Sequence, residues 1–70
     1  MLSFPGVAAG RAVRLRELVD VGCAVTIERP LGEEGEVCVI ERHGRRVTGR
    51  GPSADEAAAD ALARWDDAGP

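Results

Sequence analysis

The sequence predicts an α+β domain of element order α-β-β-β-α, with a three-stranded antiparallel sheet and both helices on one of its faces. Three observations lead there. Apolar residues recur at helical spacing near both ends of the chain, and between them lie three short stretches that alternate with period two. His43-Gly44 supplies a two-residue hairpin turn between the second and third of these stretches. Two independently chosen strand registers then place the same apolar residues on one face.

In chain order, residues 1 to 6 form an irregular lead-in, where Pro5-Gly6 turns sharply and Leu2 and Phe4 can tuck against the domain. From Val7 to Val21, residues Ala8, Ala12, Leu15, Leu18 and Val19 form a helical stripe, with Arg11, Arg14 and Arg16 largely off it. Gly22 stands where a C′ glycine ends a helix, and Gly10 weakens the first turn. Residues 23 to 29 and 36 to 42 read as strands joined by a polar connection. Residues 45 to 50 return as a third strand, weakened by Gly49.

The registers follow from the turns. If Arg42 faces Arg45, then Ile40 faces Val47 and Glu41 faces Arg46. If Arg29 faces Glu36, then Val25 faces Ile40 and Ile27 faces Cys38. Together these put Val25, Ile27, Cys38, Ile40 and Val47 on the face that helices cover. Residues 53 to 67 make the strongest helix. Ser53 and Glu56 form a capping box, and Asp55 and Glu56 sit at the positive end of the dipole. Ala57, Ala58, Ala61, Leu62 and Trp65 form its apolar stripe, Asp60 and Arg64 pair on the outside, and Asp66 and Asp67 mark a fraying end. The domain is expected to span residues 7 to 67, with 68 to 70 as a tail.

Size and composition limit the function. Seventy residues make one domain that buries only about 60% of its unfolded surface, so a partner would help it. The net charge is -3, and all nine basic residues are arginine. Two cysteines are too few for a secreted disulfide scaffold, and no apolar run has membrane-spanning length, so a soluble cytoplasmic protein without membrane contact is expected. No glycine-rich phosphate loop, nucleophile–base pair or ligand cluster stands out. An enzyme is not expected, and no catalytic residue, metal ligand or cofactor is assigned. His43 suits a turn, Cys23 and Cys38 suit core thiols, and Trp65 suits a core anchor. Glu33, Glu34 and Glu36 suit a solvated acidic turn.

Gly49-Arg50-Gly51-Pro52-Ser53, followed by Ala57, Ala61 and Leu62, resembles the approach to the last helix of the double-stranded-RNA-binding domain family. The resemblance spans residues 8 to 66 and implies the α-β-β-β-α fold. That family grips phosphates with a lysine-lysine-x-alanine-lysine run, where this chain has Ala54, Asp55, Glu56, Ala57 and Ala58. Its minor-groove loop corresponds here to a stretch carrying Glu33, Glu34 and Glu36. Acidic groups at both contact positions repel a duplex, so double-stranded RNA is not an expected partner. Residues 24 to 65 also resemble, more loosely, HicB-like antitoxin domains, which implies a partner-binding role.

Two surfaces are candidates for partners. Arg42, His43, Arg45, Arg46 and Arg50 fall within nine residues that contain no acid, with Arg11, Arg14 and Arg16 adding to the first helix. Such a patch suits an acidic protein or peptide, or weak contact with a nucleic-acid backbone. Val37, Val39, Thr26 and Thr48 lie on the sheet face away from the helices, where a second copy could cover them, and the first strand is a candidate edge for pairing. The expected function is a homodimeric protein-interaction module, with face-to-face packing slightly ahead of edge pairing.

Overall fold

The computed structural model describes residues 4–67; Leu2 and the 68–70 tail lie outside the described residues. Within them the order is helix α1 (Ala9–Asp20), strands β1 (Ala24–Glu28), β2 (Glu36–Arg42) and β3 (Arg45–Gly51), and helix α2 (Ala54–Asp67). The sheet is antiparallel with β2 in the middle. Both registers are the expected ones: Val25 opposes Ile40 and Ile27 opposes Cys38, while Ile40 opposes Val47 and Arg42 opposes Arg45.

Local chemistry sets the boundaries. Helix α1 starts one residue after the first position of its apolar stripe because the Val7 N–H donates to the Phe4 carbonyl in a turn, leaving Ala8 extended at φ -58 and ψ 145. It stops in a Schellman closure: the Gly22 N–H donates to the Val19 carbonyl and the Cys23 N–H to that of Leu18. Gly22 makes this possible at φ +102. The closure takes the Cys23 N–H, so β1 begins only at Ala24. His43 and Gly44 both adopt positive φ, as a mirror-image hairpin turn requires.

At the start of α2, the Ser53 hydroxyl accepts the Glu56 N–H at 3.3 Å. The return bond of the capping box differs from the expected pattern. The Ser53 hydroxyl faces the Glu56 carboxylate at 3.4 Å, and the Ser53 backbone N–H takes no part.

The core lies between the sheet and the helices. Leu15, Cys23, Cys38, Ile40, Ala57, Ala58, Ala61 and Leu62 are buried together, and Phe4, Leu18, Val25, Ile27, Val47 and Trp65 pack around them. Few of these are large, so close approach does the work of bulk. Helix α2 rests on β3 with no side chain between their backbones at Gly49, where a β-carbon would come within 2.5 Å of the Ala57 carbonyl oxygen. Both cysteines are free and buried, and burial pushes the Cys38 thiol up to about 11.

Candidate interaction site

Arginine carries most of the positive charge to be placed, and the pleat decides where it goes. Alternation from the inward-facing Val47 puts Arg45 on the helix side of β3 and Arg46 and Arg50 on the open side. The five-residue patch expected at the hairpin is therefore divided between two faces. Arg45 is half-buried: its guanidinium stacks on the Trp65 ring at 4.0 Å and donates to the Trp65 carbonyl, so it closes the C-terminal end of α2. Arg42, His43, Arg45 and Trp65 line a cleft of about 240 Å³. Arg50 lies 3.8 Å from Glu33 at the far end of the sheet. Arg46 opposes Glu41 in register, yet no ion pair closes between them within 4.0 Å.

Arg11 and Arg14 do not join the hairpin patch either. Arg11 Nη1 reaches both Asp55 carboxylate oxygens at 3.0 and 2.9 Å, and Arg14 grips Asp66 through two nitrogens at 2.7 and 2.8 Å. These pairs tie α1 to both ends of α2. Asp66, expected to sit in a fraying end, is instead a fixed partner. Asp55 also accepts the Ala8 N–H at 2.9 Å, giving α1 from another helix the cap that its own sequence lacks. The Ala8 N–H first, and then Arg11, hold the Asp55 carboxyl below the usual range. Arg14 does the same for Asp66 and is itself raised by it.

The expected dimer face is a grid of three rows on the open side of the sheet. Thr26, Val39 and Thr48 form the middle row, flanked by Glu28, Val37 and Arg50 on one side and Ala24, Glu41 and Arg46 on the other. Val37 is only 9% exposed, in a hollow lined by Pro30, Glu33, Arg50 and Pro52. That leaves half-buried Val39 as the main apolar group a second sheet could cover.

The two sheet edges are unequal. On β3 the Arg50 N–H points outward and donates to the Asp60 carboxylate at 3.0 Å, and that carboxylate also takes Arg64 Nε at 3.1 Å. The Arg50 N–H, then Arg64, hold Asp60 below the usual carboxylate range. Helix α2 thus covers the Arg50 end of this edge, while the outward backbone groups of Arg46 and Thr48 have no hydrogen-bond partner among the described residues.

No such cover reaches β1. Because the Arg50 backbone faces away from β2, the Val37, Val39 and Glu41 backbones face β1. The outward N–H and C=O groups of β1 therefore belong to Val25 and Ile27. Among the described residues these groups have no hydrogen-bond partner. Val21 and Leu31, which flank β1 in the chain, are 54% and 101% exposed.

No helix among the described residues is long and apolar enough to cross a membrane. Compared with known proteins, the chain matches no family model, and neither a curated protein nor a solved structure is significantly similar to it.

Proposed function

We propose that this chain is a small protein-interaction module that works as a homodimer, and that duplex RNA is not its ligand. The observation that carries this reading is the inequality of the two edges: Asp60 takes the Arg50 N–H at one end of β3, while no side chain takes the Val25 or Ile27 backbone groups of β1. Unguarded edges invite another strand, and a thin alanine-rich core gains from added burial. The weight moves from face-to-face packing toward edge pairing, because Val37 is already sheltered within one chain.

Sedimentation equilibrium tests the reading. The apparent mass should rise above 7.4 kDa as the concentration is raised from about 10 to about 100 μM, by mass action. A mass fixed at the monomer value across that range refutes it. Against duplex RNA stand Asp55 and Glu56 at the start of α2, the former already occupied by Arg11 and Ala8. A duplex of about 20 base pairs near 0.15 M salt should form no specific complex, and length-dependent sub-micromolar binding would overturn that part.

The cleft formed by Arg42, His43, Arg45 and Trp65 favours a second reading, in which an acidic peptide is the partner. It predicts that a Glu-rich peptide perturbs Trp65 fluorescence. An unchanged spectrum at millimolar peptide would dismiss it.

A further inference from the structure

The open edge specifies more than the existence of a dimer. We infer that two copies pair antiparallel through β1, with the two-fold axis passing at Thr26, so that Val25 of each copy opposes Ile27 of the other. This inference rests on the homodimer reading and adds its register.

The first argument is hydrogen-bond parity. Only Val25 and Ile27 present outward N–H and C=O groups in β1. An antiparallel partner must meet them with outward groups of its own, and a second β1 centred on Thr26 does so. Val25 and Ile27 of the second copy exchange both bonds with Ile27 and Val25 of the first. Every open group of the strand is then satisfied, and Thr26 meets its own copy in a close, non-hydrogen-bonded pair. Shifting the axis to Val25 or Ile27 would push one of these pairs onto Cys23 or Arg29, beyond the strand.

The second argument is the placement of apolar surface. Val21 lies five residues before Thr26 and Leu31 five after it, and both are exposed. The same two-fold brings the segment after β1 of the second copy, which carries Leu31, to the end of β1 of the first that Val21 precedes, at both ends of the interface. Two apolar side chains that are costly to leave in water are then gathered at each end of the junction. The inward faces of β1, half-buried at Val25 and Ile27, also become continuous across the junction.

Charge does not oppose this register: Glu28 meets Ala24, no like charges face each other along the pairing, and the axis is neutral. The interface is short, below the roughly 1,200 Å² of standard complexes, so the dimer should be weak and reversible.

Cross-linking tests the register. Thr26→Cys should form a disulfide-linked dimer on mild oxidation, because the two thiols face each other across the axis at strand-pair distance. Wild type, with both cysteines buried, should not. Thr48→Cys, on the far strand of the same open face, sets the collisional background. In sedimentation, Thr26→Lys places like charges opposite each other and should leave the protein monomeric at concentrations where wild type is dimeric.

Cross-linking of Thr26→Cys above the Thr48→Cys level, together with a monomeric Thr26→Lys, supports the inference. A wild-type dimer that survives Thr26→Lys, or that cross-links through Val39→Cys and not Thr26→Cys, overturns the register and leaves the homodimer standing. A wild-type protein monomeric up to about 100 μM removes both.

Discussion

Gly49 and Ala61 meet backbone to backbone: a β-carbon added to Gly49 would stand 2.2 Å from the Ala61 nitrogen. Neither neighbour has a flexible end that could yield, so the helix axis itself would have to lift from the sheet. Gly49→Ala should therefore cost about 3 kcal/mol or more, at or beyond the upper end of ordinary overpacking. A domain of this size has only about 4–10 kcal/mol in total, so the variant should be partly or wholly unfolded at room temperature. Urea denaturation followed by circular dichroism checks this, and a midpoint like that of wild type would contradict it. Gly10→Ala is the control: nothing lies within 4 Å of its added carbon, and in a helix the change should stabilise by about 0.5–1 kcal/mol.

The stacking of Arg45 on Trp65 gives a second prediction. Arg45→Gln removes both the cation over the ring and the donor to the Trp65 carbonyl. The expected loss is about 1–2 kcal/mol. Trp65 is the chain's one tryptophan, so its emission should shift to the red as water reaches the ring. Arg45→Lys should restore the charge without the planar stack, and so recover only part of the loss. An emission spectrum unchanged in Arg45→Gln would show that the contact is not kept in solution.

The Arg14–Asp66 pair is bidentate but exposed on both sides. Its coupling energy in a double-mutant cycle should be about 0.5–1 kcal/mol, falling at 1 M salt. Hydrogen exchange should report the loss mainly in α1, because the pair anchors that helix to α2. A coupling of zero at low salt would reduce Asp66 to a bystander.

Acid provides a fourth test. Asp55, Asp60 and Asp66 all titrate below their ordinary values in the folded protein. The unfolded chain therefore binds protons first as pH falls. The stability these groups contribute is present above the unfolded carboxylate value of about 3.9 and is lost as pH drops through the lower folded values. The urea midpoint should hold near neutrality and decline below about pH 4.5. Asp60→Asn keeps an acceptor for the Arg50 N–H but cannot titrate, so its decline should be shallower. An acid limb as steep as that of wild type would exclude Asp60 as a contributor.

Strand register was legible in the sequence because a one-residue slip would have sent Val25, Ile27, Cys38 and Ile40 to water. The helix ends were legible from Gly22 and Ser53, where backbone groups need particular partners. The division of the arginine patch was also encoded: period-two alternation from Val47 puts Arg45 and Arg46 on opposite faces, although closeness in the chain suggests a single cluster. The Arg11–Asp55 and Arg14–Asp66 pairs were not legible, since each joins residues 44 and 52 positions apart whose meeting depends on how two helices pack. The bond from the Arg50 N–H of β3 to Asp60 was hidden for the same reason. An i,i+4 pairing with Arg64 accounts for that aspartate locally and gives no hint of a strand beneath it.

The direct seating of α2 on β3 also bears on the order in which the chain assembles. The two elements are neighbours in sequence, and β2 joins β3 through a two-residue turn, so residues 36 to 67 can form a sheet–helix unit with short loops to close. Helix α1 is held by groups that must first be brought together from the opposite end of the chain. It is therefore expected to dock late, onto a surface that the C-terminal half has made. Substitutions at the Gly49–Ala61 contact should then slow refolding, while those at Arg14 or Asp66 should chiefly hasten unfolding.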